Sequence, residues 1–146
     1  MIKISTALRQ ALAVGGSLRD TLNNGLVRIY SGAVPASADA ALGGAVLLCE
    51  ISAGGDGTPL TFESTAPNGT LTKSASEVWT GTNLQNGTPT FFRYALSTDS
   101  GQASTSEPRI QGSVGGVGSD MVITSLPLVQ GNPQVFELFQ LTVPEQ

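Results

Sequence analysis

The sequence predicts an all-β protein: an antiparallel β-sandwich over residues 26–146, preceded by a short helical arm over residues 1–25. Three observations carry that expectation. After Gly25 come eight or nine short runs of strand character, each closed by a cluster of Gly, Pro, Asn, Asp or Ser. Such spacing belongs to sandwiches, barrels and jelly rolls. No strand–helix–strand alternation appears, which argues against a doubly wound parallel sheet. The length, 146 residues, fits one domain with a core of its own.

The arm opens with STALRQALAV, where Ser5 or Thr6 can cap a helix and Leu8 and Leu12 fall four apart on one face. Gly15-Gly16 ends it. Ser17 can cap a second short helix, SLRDTLNN, with Leu18 and Leu22 on one side and Gly25 as its stop. Both helices are too short to persist in water without a surface to dock on. Strand candidates follow in order: LVRIYSG (26–32), the apolar AVLLCEIS (45–52), LTFEST (60–65), TLTK (70–73) and EVWTGT (77–82). Next come TPTFFRYALST (88–98), RIQGSV (109–114), DMVITS (120–125) and QVFELFQLTV (134–143).

Alternation within the strands assigns their faces. In FFRYALS, Phe92, Tyr94 and Leu96 share one side and Phe91, Arg93 and Ala95 the other. Trp79, Phe92, Tyr94 and Leu96 are therefore the expected core. In VFELFQLTV, Val135, Phe139, Leu141 and Val143 share a face with Glu137, leaving Phe136 and Leu138 opposite. Both late strands thus carry large apolar groups on the side expected to meet water. Either a loop or helix covers them, or they form a subunit interface.

Only 12% of residues are charged, about half the usual globular share. Polarity comes instead from 15 serines, 15 threonines and 18 glycines. A surface so poor in charge suits a protein packed against partners, and it also suits an ordinary Gly/Ser/Thr-rich β-domain. The net charge of −4 is uneven. Residues 1–28 hold Lys3, Arg9, Arg19 and Arg28 against Asp20, whereas the remainder holds three cations against ten acids. The body has no electrostatic footprint for nucleic acid. The basic arm could meet an acidic neighbour.

The ten residues QGSVGGVGSD (111–120) look at first like a phosphate-binding loop. A Walker loop needs Lys-Ser/Thr after the last glycine, and Ser119-Asp120 stands there. A dinucleotide loop must open a helix, but DMVITS is strand-like. Residues 112–118 are accordingly expected to form a turn between strands. With no histidine and the single cysteine Cys49, zinc sites and Ser-His or Cys-His relays are excluded. No cofactor and no metal are expected. A carboxylate pair of the glycosidase kind could be hidden among the 11 acids. Trp79, Tyr30 and Tyr94 could serve as stacking platforms for sugar. No segment has the length of a membrane span, and the N-terminus lacks the uninterrupted apolar run of a secretion signal. Synthesis in a reducing cytoplasm follows.

Several short words recur in a known order. They are STALR (5–9), IYSG (29–32) with Pro35 and SAD (37–39), WTGT (79–82), FFR (91–93), RIQGSVGGVGSD (109–120) and FQLTVP (139–144). In this the chain resembles small virion proteins of tailed double-stranded DNA bacteriophages, of the capsid cement or decoration type. The resemblance implies a non-enzymatic structural protein, frequently a jelly roll, clustered as a trimer on the capsid exterior and bridging major capsid protein subunits. A neck, tail or fibre component, or a carbohydrate-binding jelly roll, are the alternatives. The expected contact residues are Ile2, Lys3, Ile4, Leu8, Arg9, Leu12 and Arg19 of the arm, with Phe91 and Phe136. The arm, differing in charge from its body, is expected to reach a neighbour.

Overall fold

The computed structural model describes residues 1–144, so the last two residues of the expected 26–146 domain lie outside the described residues. Strand β1 (Lys3–Ile4) leads into helices α1 (Thr6–Ala13) and α2 (Leu18–Leu22). Strands β2 (Gly25–Ser31) and β3 (Val46–Ala53) follow, then a 3-10 turn at Pro67–Gly69, β4 (Thr70–Thr72), β5 (Trp79–Thr82) and β6 (Phe91–Leu96). The chain continues through β7 (Arg109–Gly115), β8 (Met121–Val122), β9 (Pro133–Phe136) and β10 (Gln140–Thr142). The protein is all-β and mostly antiparallel, with 36% of residues in strands and 11% in helices.

One sheet runs β1-β7-β6-β2-β3-β5-β9, and β10 pairs with β4 in a separate ribbon. The exception to antiparallel pairing is β8, which lies parallel to β7. The long strand β3 joins the two halves of the sheet: its first part pairs with β2, while Ser52 and Ala53 pair with β5. Register slips where Ile29 faces Cys49 and Tyr30 faces Leu47, leaving Leu48 as the extra residue. That bulge brings neighbouring Leu48 and Cys49 both into the core.

The core lies on the face presented by Val27, Ile29, Phe92, Tyr94, Ile110 and Val114, as the alternation requires. Trp79 and Phe62 close it from the other side, their rings 5.4 Å apart and nearly perpendicular. Leu96 is only half-buried and lies outside the core cluster. Buried polar groups on this side find partners. The Tyr94 hydroxyl donates to Leu22 O at 2.8 Å, and the Trp79 indole donates to Glu77 Oε2 at 2.9 Å.

Two expected strands are corrected. LTFEST does not form a strand; Leu60 and Phe62 touch the sheets through isolated bridges to Gly25 and Lys73. QVFELFQLTV breaks after Phe136, so β9 stays on β5 while β10 crosses to β4. The break removes the expected opposition of Phe136 and Phe139. Their rings stack 6.4 Å apart at 13°, and both pack against the core.

The arm packs on its own sheet. Ser5 caps α1 by accepting from Leu8 N at 3.2 Å, and the same hydroxyl accepts from Arg109 N at 2.8 Å. Strand β1 pairs with β7. Leu8 and Leu22 are fully buried members of the core. This supplies the docking surface that such short helices need.

Candidate functional site

The apolar face of the sheet is built as alternation predicts; its other face is unusual. Side chains of Arg28, Tyr30, Arg93, Ala95, Arg109 and Gln111 stand there, and most are buried. Their cover is two long loops, residues 32–45 and 97–108. Gln111 Nε2 donates to Pro35 O at 2.9 Å, and Arg109 donates to Ala38 O at 3.2 Å and Gln102 O at 2.8 Å. The loops also hold each other, through Leu42 N to Gly101 O at 3.0 Å and Ser104 N to Asp39 O at 2.9 Å. Over β2, β6 and β7 the sheet is therefore buried on both sides, by hydrocarbon on one and by a polar layer on the other.

Two ion pairs organise that layer. Arg109 grips Asp99 with Nε and with Nη2, the second bond 2.8 Å long, and both side chains are essentially inaccessible. Burial by itself would raise the Asp99 pKa; the hydrogen bonds from Arg109 and Gly101 N and the charges of Arg109 and Arg93 more than reverse this and lower it. Arg28 pairs with Glu50 at 2.8 Å. Among the described residues Arg93 has no carboxylate partner. It lies directly between Arg28 on β2 and Gln111 on β7 in the cross-strand register. Its one bond runs from Nη2 to Gln111 Oε1 at 2.6 Å.

The expected contact residues divide sharply. Leu8 and Phe91 are fully buried within the chain, Phe91 stacked on Tyr30 at 5.1 Å, so neither is available to a partner. The loops that cover Arg93 cover Phe91's side of the strand as well. Phe136 is half-buried against the core. Arg19 donates to Phe62 O and Glu63 O, and Lys3 to Ala36 O at 2.9 Å. Their charge is engaged with the chain's own carbonyls. Ile2, Ile4, Arg9 and Leu12 remain exposed. They are joined by Val122, Val135 and Val143, which the alternation did not single out, and by Leu138, which it placed on the face expected to meet water or a partner. A groove of about 400 Å³ opens here, walled by Met121, Val122, Val135, Phe136, Leu138 and Leu141.

The glycine run is only partly a turn. Gly112 and Gly115 belong to β7, and residues 116–120 loop back so that β8 runs beside β7 in the same direction. The Asp120 carboxylate occupies the turn, accepting from Ser113 N and Oγ, both at 2.8 Å. The Met1 ammonium adds a third bond at 2.8 Å. That bond leads the causes that hold Asp120 below the usual carboxylate range. A Cβ on Gly112 would come within 2.6 Å of the Phe92 ring and 2.7 Å of Ile2 Cδ1. This glycine therefore serves packing.

Carboxylates elsewhere act as acceptors for their own chain: Asp39 for Thr6, Asp56 for Thr58, and Glu77 for Thr61 and Trp79. The three aromatic rings considered as sugar platforms, Tyr30, Trp79 and Tyr94, are all buried, so stacking on them would require the fold to open. Burial pushes the Cys49 thiol pKa up to about 11, which keeps it protonated at neutral pH. Among the described residues no helix is long and apolar enough to cross a membrane. No family model, no curated protein and no solved structure matches the chain.

Proposed function

We propose that this chain is a non-enzymatic virion structural protein of a tailed bacteriophage. In this reading it is a cement protein of sandwich or jelly-roll type, seated on the capsid exterior as a homotrimer and bridging major capsid protein subunits. The observation that carries the reading is the surface. A chain with only 12% charged residues leaves Val122, Val135 and Leu138 exposed around one groove and Ile2, Ile4 and Leu12 exposed along the arm. Apolar groups gathered in this way mark interaction surfaces. The engagement of the carboxylates with their own chain supports a structural role over a catalytic one. The recurring words from STALR to FQLTVP point to the same class of protein.

The test is the copy number of the chain in purified virions, measured by quantitative mass spectrometry on separated heads and tails. Hundreds of copies with the heads are expected. Small multiples of three, six or twelve with the tail fraction would move the chain to neck or tail, and absence from particles would overturn the proposal. Leu138, 65% exposed, gives the sharper variant. Leu138→Glu should keep its melting temperature and lose incorporation.

A further inference from the structure

We infer that the polar layer contains a receptor for one small monovalent anion of chloride size, held by Arg93 against the inner side of the 97–108 loop. Arg93 is 2% exposed. A guanidinium carries five N–H donors, and here Nε and Nη1 are buried without a hydrogen-bond partner among the described residues. Burying a charge with its donors unmet is among the costliest arrangements a protein can hold. The neighbours deepen the deficit. Arg28 stands directly opposite on β2, and like charges facing each other across a strand pair repel. Burial, with Arg109 next in weight, pulls the Arg93 pKa down.

The carboxylates within reach are already committed. Asp99 is bound by Arg109 through two bonds and by Gly101 N at 2.7 Å; Glu50 is bound by Arg28. Arg28 is matched by Glu50 and Arg109 by Asp99, while Asp39 on the covering loop acts on Arg93 only from a distance, its oxygens taken by Thr6 N and Oγ1; Arg93 is left without a bonded counter-ion. The available space sets the size of what can balance it. A cavity of about 10 Å³ adjoins Arg93, lined also by Arg28, Tyr30, Leu42, Asp99 and Gly101. That is room for the centre of one small group to move a little, enough for a water or a halide but not for a polyatomic anion. Sulfate, phosphate and any nucleotide are too large. A water molecule could accept one or two of the free N–H bonds, yet it would leave Arg93 without a bonded counter-ion. A monatomic anion satisfies both the donors and the charge.

The experiment follows the melting temperature of the full chain at fixed ionic strength while chloride is exchanged stepwise for gluconate, which is too large for the cavity. An anion bound only by the folded state should raise Tm by about 3–5 °C per tenfold rise in chloride above Kd. Bromide should substitute for chloride, and sulfate should not. Arg93→Met should abolish the dependence, whereas Arg9→Gln, an exposed arginine, should retain it. Should Arg93→Met fail to fold, the chloride NMR linewidth of the wild-type chain decides: broadening by the protein, relieved by bromide, is the expected result. Superimposable melting in chloride and gluconate, with no line broadening, would mean that the cavity takes water only and would overturn the inference.

Discussion

Asp99→Asn should be among the most damaging single substitutions in this protein. Asp99 Oδ1 accepts from Arg109 Nη2 at 2.8 Å and from Gly101 N at 2.7 Å, while Oδ2 takes Arg109 Nε. Asparagine can keep the first two bonds on its carbonyl. It must present its NH2 to Arg109 Nε–H, so one charge-assisted bond is lost and two donors face each other. It also removes the negative charge from a layer that already holds Arg93 unpaired. Breaking a buried ion pair from one side costs about 3–5 kcal/mol. At roughly 3 °C per kcal/mol for a chain of this size, Tm should fall by about 10–15 °C. Urea denaturation followed by circular dichroism measures the loss directly. Replacing both partners, as Asp99→Leu with Arg109→Met, should cost less than Asp99→Asn alone, because Arg109 is then not left buried without its counter-ion. A loss below about 1 kcal/mol for Asp99→Asn would show that the pair does not organise the layer.

Leu8→Ala should destabilise the chain by about 2–5 kcal/mol in urea, since Leu8 is fully buried in the core, whereas Leu12→Ala, at the exposed edge of α1, should cost under about 1 kcal/mol. Gly112→Ala should cost about 1–3 kcal/mol by thermal melting, because its Cβ meets the Phe92 ring, while Gly116→Ala, with nothing within 4 Å, should be close to neutral. Acid should unfold the protein from below about pH 4. Asp39, Asp99 and Asp120 all have folded pKa values below their ordinary one, so the stability they add is present above that value and lost as pH falls through the folded one. Asp120→Asn should flatten part of that acid slope; a slope identical to wild type would show that the Met1 ammonium contact is not held in solution.

What the sequence made legible is local. Ser5 and Ser17 cap the helices that their positions predict, because a cap is decided within three or four residues. FFRYALS alternates as a paired strand must, and Phe92 and Tyr94 take the core side. The break in QVFELFQLTV was hidden, since its apolar residues fit either one strand or two. The polar layer was hidden for a different reason. An arginine alternating with apolar residues reads the same whether the far face meets water or a covering loop. One signal was nevertheless present: Arg28, Arg93, Arg109 and Gln111 all alternate onto one side of strands whose connecting loops are long and rich in Ala, Gly and Ser. Long loops in a small domain must lie on something.

The two covered faces also determine where a partner can bind. Residues 32–45 and 97–108 close one side of the sheet, and Trp79, Phe62 and Phe139 close the other. The edges of the sheet remain. At one, β1 adds only two residues to β7, so pairing there is short. At the other, β9 is bonded to β5 on a single side and begins with a proline, which lacks the donor a further strand would use. Backbone pairing with a neighbour is therefore weak at both ends of this sheet, which favours association through side chains there. Val135, Leu138 and Val122 are the apolar groups at the β9 end, and Glu137 is the only charge among the groove residues from Gln134 to Leu141. A contact built on hydrocarbon rather than on ion pairs should survive high salt. On the virion role proposed above, raising ionic strength should thus leave the chain bound to particles, and its release by salt alone would point instead to the basic residues of the arm.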